Sequence, residues 1–279
     1  MGGMLMSASD LFDELRESGG AVAAFNAITI EHAEAIATAA EQADQPVIMQ
    51  LSQNAIGFHG RPEGIAAAMA AVANSSTARI VLHLDHITDV DLALRTRELG
   101  FSSVMFDGAT QEYAANVAAT RRVATWGAEQ GVWVEAELGE IGGKDGAHAP
   151  GVRTDPQEAA EFVASTGVDS LAVAVGSSHA MTTRSATLDI ELIRAIAERV
   201  DVPLVLHGSS GVPDDTLAEA ARAGMRKINI GTALNIAFTG AVRSWLDEND
   251  GVDPRRYLAP GREAMAQTCR HYLEVVSGR

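Results

Sequence analysis

Cysteine is almost absent from this chain: Cys269 is the only one in 279 residues. One thiol builds neither a disulfide framework nor a Cys-based metal site, so any transition metal must be held by His and carboxylates. Lysine is nearly as rare, with Lys144 and Lys227 alone among the 21 basic residues. No run reaches the roughly 20 apolar residues that a membrane span needs. The start, Met1 to Asp10, lacks a basic segment followed by an apolar stretch, so no signal peptide and no membrane association are expected, and the location expected is cytoplasmic. Positive charge is also short. A net charge of −16 argues against nucleic-acid partners, because phosphate affinity needs clustered Lys and Arg. An acidic chain that takes an anionic substrate must therefore make a positive site locally, from a metal, backbone N–H groups or a few arginines.

What the sequence does hold is an alternation. Apolar runs of strand length (21–26, 46–52, 79–85, 103–107, 132–137, 170–175, 203–207 and 226–230) are separated by longer, Ala-rich stretches of helical period. The helical stretches include 31–42, 89–99, 116–129, 156–165, 188–199 and 214–223. Eight strand–helix repeats without a linker-like tract predict an α/β fold, a single (β/α)8 TIM barrel over residues 1–279. The length fits, since such barrels run to about 250 residues. The tail from Asp253, with a helical segment at 261–276, reads as a C-terminal helical extension packed on the barrel.

The residues that end the strands carry the functional signal. In order they are Asn26, Ser52, Asp85 with His86, Asp107, Glu135 and Glu137, His179, His207 with Gly208, and Asn229. A parallel barrel gathers all its strand ends on one face, where the loops build the active site. One such residue is ordinarily a helix cap; a whole ring containing three histidines is hard to explain as capping. His86, His179 and His207 form a trio suited to catalytic Zn2+, three protein ligands leaving one position open. His83 is expected in the barrel core or behind the site. Asp85 either shuttles a proton to a reacting oxygen or orients a ligating His. Adjacent strand residues face opposite sides, so Asp85 and His86 both reach the site only if the strand has ended there.

Two segments suit phosphate: 207–214 after the seventh strand and 229–232 after the eighth, the usual anion-binding position in such barrels. A tight glycine turn is the alternative. Neither lysine is well placed for a Schiff base: Lys227 is near the start of the eighth strand and Lys144 lies in a Gly-rich loop.

Taken together, these segments resemble class II fructose-bisphosphate aldolases and their ketose-bisphosphate relatives. The resemblance rests on Ala-Phe-Asn (24–26), Leu-His-Leu-Asp-His (82–86), Ser-Val-Met-Phe-Asp-Gly (103–108), Val-Glu-Ala-Glu-Leu-Gly-Glu-Ile-Gly-Gly (134–143), Leu-Ala-Val-Ala-Val-Gly-Ser-Ser-His (171–179), Pro-Leu-Val-Leu-His-Gly-Ser-Ser-Gly (203–211) and Lys-Ile-Asn-Ile-Gly-Thr (227–232). It implies zinc on His86, His179 and His207, Asp85 as proton donor, and Asp107 and Glu137 at a second metal or monovalent cation. It also implies contacts to dihydroxyacetone phosphate from Gly208, Ser209, Ser210, Asn229, Ile230, Gly231 and Thr232, with Asn26 in the substrate site and Ser52 toward the aldehyde.

Three departures stand out. Ala180 replaces the usual Gly whose backbone helps bind phosphate, and 181–186 lack the usual Tyr and Pro. The loop after the fifth strand lacks the usual Glu-Asp pair, so the base falls to Asp145, with His148 as the alternative. The reaction implied is reversible cleavage of a ketose phosphate, foremost fructose 1,6-bisphosphate, with tagatose bisphosphate or a related ketose phosphate as the alternative. A zinc hydrolase on the same barrel and a sugar-phosphate sensor are the readings outside aldolase chemistry. Family habit implies a homodimer or homotetramer.

Overall fold

The computed structural model describes residues 5–138, 153–178 and 181–278. Eight strands pair in parallel, each with its successor: β1 Val22–Asn26, β2 Val47–Ser52, β3 Ile80–Ile87, β4 Ser103–Phe106, β5 Trp133–Glu137, β6 Ser170–Ala172, β7 Leu204–Leu206 and β8 Met225–Ile230. β8 returns to β1 and closes the (β/α)8 barrel. Around it lie α1 Ala8–Ser18, α2 Ile30–Ala43, α3 Gln53–His59, α4 Pro62–Ser75, α5 Val90–Ala93, α6 Tyr113–Gln130, α7 Pro156–Thr166, α8 Ile190–Ala197, α9 Asp214–Ala223, α10 Thr232–Glu248 and α11 Pro254–Ser277. No helix among the described residues is long and apolar enough to cross a membrane.

Local chemistry sets most boundaries. Asp155 caps α7 by accepting from the N–H groups of Gln157 and Glu158, Pro156 opens the helix, and Gly167 ends it at φ 71°. The helix expected over 89–99 shrinks to α5, with turns beyond it. There the Thr96 hydroxyl donates back to the Ala93 carbonyl at 2.7 Å, a local bond that competes with continued helix. β6 likewise stops at Ala172, three residues short of the apolar run that announces it.

Inside the barrel the character changes along the axis. At the N-terminal mouth Phe12 of α1 stacks on Trp133, ring centroids 4.6 Å apart, and joins Leu11, Val22, Ala24, Ile48 and Val81 in an apolar plug. Higher up, Met105, Ala172 and Val205 form a small apolar group. His83, Glu135 and Lys227 are buried in the lumen as well. The C-terminal extension does more than cover the barrel. α11 runs from Pro254, through Pro260, and packs against α2, α9 and β1, completing the outer ring. α10 buries only Leu234 among its described residues and leans on α11 at Gly261, where a Cβ would lie 2.6 Å from Phe238.

Candidate active site

The site begins with a defect in β3. Leu84 pairs with Val104 and Ile87 with Phe106, so Asp85 and His86 together face the single residue Met105. That is a β-bulge, and His86 sits in it at φ 50°. A left-handed non-glycine residue costs about 1–3 kcal/mol and is held only where the surroundings demand it. The expectation that the strand ends at Asp85 is thus corrected: β3 continues to Ile87, and the bulge turns both side chains toward one cleft.

His86 and His207 meet there. The Nδ1 of His86 donates to Asp107 Oδ2 at 2.9 Å, and the Nε2 of His207 lies 3.1 Å from Glu135 Oε1. With each ring's proton held by a carboxylate, the remaining nitrogens, His86 Nε2 and His207 Nδ1, face each other at 3.0 Å. At that distance the two nitrogens either share a proton, as a hydrogen bond from one ring to the other, or hold a cation between them. Burial lowers the His86 pKa, but the charge of Asp85, the Asp107 hydrogen bond and Glu137 overcome it and raise it to about 9. The locus therefore favours positive charge. Asp85 with His86 and His207, and His86 with Asp107 and Glu137, each bring ligand atoms within 4.8 Å of one another. All donors are N and O, which suits zinc held without cysteine.

Asp85 is almost wholly buried, and Asn26 Nδ2 donates to its Oδ2 at 2.6 Å. Asn26 is itself held by Gln50, whose Nε2 donates to Asn26 Oδ1 at 3.2 Å. The other carboxylate oxygen, Asp85 Oδ1, is buried with no hydrogen-bond partner among the described residues. A buried polar atom left without a partner is costly, so this oxygen is available to a ligand.

A cleft of about 230 Å³ opens above these groups, at the C-terminal ends of the strands. On one side the backbone turns sharply at Gly208, φ 68°, where a Cβ would lie 2.5 Å from the Ser178 carbonyl oxygen. Only glycine meets both demands. A 3-10 turn, Ser209–Gly211, follows, and the Ser210 hydroxyl accepts from the Ala233 N–H at 3.2 Å, tying this loop to the start of α10. The Ala233 N–H is thus taken by Ser210 and those of Leu234 and Asn235 by the Gly231 carbonyl, and the positive end of the α10 dipole is turned toward the cleft beside Gly231 and Thr232. That end of the cleft suits negative charge without a Lys or Arg in its lining.

Of the residues expected at the substrate, Asn26, Ser52, Gly208, Ser210, Asn229, Gly231 and Thr232 line the cleft. Ser52 also caps α3, its hydroxyl accepting from Ala55 N at 3.2 Å. Ser209 and Ile230 do not line it. Ser209 is buried and donates to the Leu206 carbonyl, while Ile230 packs in the core, because strand alternation turns it outward from the lumen. His179, Ala180, Asp145 and His148 lie outside the described residues. Sequence reasoning passed over Ile28, Asn54, Met181 and Asn235, which also line the cleft. Asn54 and Asn235 sit in the first turns of helices that follow strand ends, a placement that is the available signal for them. Lys227, early in β8, is buried in the lumen, 2.7 Å from Glu135 Oε2 and 3.3 Å from His83 Nε2. It is ion-paired beneath the cleft rather than projecting into it. His83, as expected, is behind the site, its Nδ1 2.7 Å from Ser103 Oγ.

A closed parallel barrel with a polar, histidine-bearing cleft at the C-terminal ends of its strands is the architecture of a barrel enzyme. The family model for fructose-bisphosphate aldolase class-II matches residues 6–279, and the chain belongs to that family. It is a class II aldolase, a carbon–carbon lyase. Its structure is similar to that of the YdjI aldolase from Escherichia coli K12, with TM-score 0.84 and 29% identity, covering 98% of this chain and 97% of the other. A putative fructose-1,6-biphosphate aldolase from Coccidioides immitis is similar at TM-score 0.84 and 28% identity, covering 96% and 95%. Fructose-bisphosphate aldolase from Campylobacter jejuni shares the fold at TM-score 0.84 and 22% identity, covering 99% and 96%.

Proposed function

We propose that this aldolase uses zinc to cleave a ketose phosphate reversibly, with fructose 1,6-bisphosphate giving dihydroxyacetone phosphate and glyceraldehyde 3-phosphate as the leading substrate. The observation that carries the metal part is the pair of imidazole nitrogens facing each other at 3.0 Å, each ring anchored behind by a carboxylate. His86 and His207, with His179 as the third ligand, would hold the ion, and Asp107 and Glu137 stand where a second cation is proposed. Bound zinc supplies Lewis acidity, stabilising negative charge that develops on the substrate carbonyl as the carbon–carbon bond breaks.

The chain's own residues do the rest. The phosphate rests on the N–H groups around Gly208–Ser210 and at the start of α10, which fixes the reacting carbons. In cleavage, Asp85 Oδ1 accepts the proton of the C4 hydroxyl, the C3–C4 bond breaks, and the electron pair moves toward the C2 carbonyl. The aldehyde leaves, and a proton delivered to C3 completes dihydroxyacetone phosphate. In condensation each step reverses, with Asp85 protonating the aldehyde oxygen and a base removing the C3 proton.

Three readings separate in one set of measurements. Triose phosphate release from fructose 1,6-bisphosphate that is abolished by chelation and restored by zinc is the expected result. Release from tagatose 1,6-bisphosphate instead would change the substrate but keep the class. Tight sugar-phosphate binding without turnover favours the sensor reading, and ester hydrolysis without triose release the hydrolase. Borohydride with substrate should leave activity intact, because Lys227 is buried in an ion pair with Glu135. A borohydride-trapped adduct on Lys227 or Lys144 would overturn the metal-dependent reading.

We assign the C3 base to Asp145, with His148 as the competitor. Exchange of the dihydroxyacetone phosphate C3 proton with heavy water isolates that step from the aldehyde. Asp145→Ala should lower exchange by ~10²–10⁴ while leaving zinc content unchanged. Undiminished exchange in that variant, with loss in His148→Ala, would move the role to His148.

A further inference from the structure

Beneath the cleft runs a continuous polar chain that substrate contact does not explain. The His83 Nδ1 is 2.7 Å from Ser103 Oγ, and its Nε2 faces Lys227 Nζ at 3.3 Å. Lys227 Nζ donates to Glu135 Oε2 at 2.7 Å, and Glu135 Oε1 lies 3.1 Å from His207 Nε2. All five residues are buried, and Glu135, Lys227 and His207 expose almost nothing. Lys227 has no acceptor atom, so His83 must offer it the lone pair of Nε2 and carry its own proton on Nδ1, toward Ser103. Lys227 is thereby aimed at Glu135, and the ion pair turns that carboxylate's other oxygen to His207.

We infer that Glu135, held by Lys227, is a positioning residue that fixes His207 in the tautomer with its proton on Nε2 and its Nδ1 lone pair turned to His86. The inference rests on the proposed metal site for its purpose, though not for its geometry. A ligating histidine whose second nitrogen is held by a carboxylate keeps its ring orientation and gains basicity. Asn229 touches the same nitrogen. Its Nδ2 is 3.1 Å from the same His207 Nε2, while its Oδ1 is buried with no partner among the described residues. A half-turn of the amide sets that oxygen against Nε2–H, satisfies it, and frees the amide N–H groups, an exchange of two nearly isosteric ends. The tautomer that Glu135 imposes therefore goes with the flipped Asn229 amide, its oxygen accepting from Nε2–H.

The test uses the full chain, first without metal. Long-range proton–nitrogen correlation on 15N-histidine-labelled protein should show His207 protonated at Nε2 and unprotonated at Nδ1. A Glu135→Leu/Lys227→Met double variant keeps the lumen filled and leaves no charge unpaired. It should retain the fold by circular dichroism, show mixed His207 tautomers, and bind zinc ~10–100-fold more weakly in competition with a chromophoric chelator. Glu135→Gln/Lys227→Met has a similar shape but restores an acceptor, and should recover part of both signals. Packing alone would move neither signal differently between the two pairs. A wild-type His207 carrying its proton on Nδ1, or zinc affinity unchanged in the folded Leu/Met pair, overturns the inference. If the wild-type chain binds no zinc while the tautomer is as expected, the positioning role stands and the proposed metal function fails instead.

Discussion

Replacing Asp85 with Ala should lower the cleavage rate by ~10²–10⁴ while bound zinc stays near the wild-type level. The loss falls in kcat, because the carboxylate acts on a proton in flight rather than holding the substrate. The geometry separates its two oxygens by task. Oδ2 is occupied by Asn26 Nδ2 at 2.6 Å, and Oδ1 is buried with no partner among the described residues. An anchored carboxylate with one unmet oxygen, beside two metal-binding candidates, is suited to accept and return a proton. Asp85 also lies close enough to His86 and His207 to be a ligand itself. Zinc content decides between the roles. If Asp85→Ala loses the metal together with the rate, the residue is a ligand or a support for one, and the proton passes elsewhere. Asn26→Ala, which removes only the anchor, should weaken turnover less than Asp85→Ala.

Replacing His86 should have the larger effect of the two. His86→Asn is the informative change, because Asn tolerates the left-handed backbone that His86 adopts at φ 50°, so the bulge survives. The variant should keep the barrel but lose zinc affinity by more than the roughly 10–100-fold that follows loss of a residue behind a ligand. Turnover should fall to the level of chelated wild type. The same substitution removes the imidazole that faces His207 Nδ1 and that donates to Asp107 Oδ2. Equilibrium dialysis with zinc, followed by the triose phosphate assay on the same sample, reads both losses. A variant that binds zinc as wild type does would remove His86 from the metal site.

The alternation of apolar runs and Ala-rich stretches determined the barrel, because short buried strands and outer helices leave different periodicities in the chain. The polar residues at the strand ends likewise determined that Asn26, Asp85, His86, His207 and Asn229 share one mouth, since a closed parallel barrel admits no other arrangement of those ends. Segment 207–214 read as a phosphate loop, with a tight glycine turn as the alternative; the structure shows the turn at Gly208, explained by its positive φ and the nearby Ser178 carbonyl. The bulge was not legible. Alternation assigns Asp85 and His86 to opposite faces, and only pairing with β4, two residues against Met105, turns both inward.

Nor was the layer below the site. Glu135 and Lys227 are 92 residues apart, and His83 is 144 from Lys227; closing the sheet brings them into contact. Their positions within their strands name the face they point to, but not which charge meets which across the lumen. The same holds for α11, whose helical segment was legible in the sequence. Only its packing against α2, α9 and β1 shows that it completes the ring. Local periodicity thus determined the elements and the face on which chemistry gathers. Tertiary closure decided the pairings, because hydrogen bonds between distant strands depend on register and on bulges, and neither is a property of any one segment.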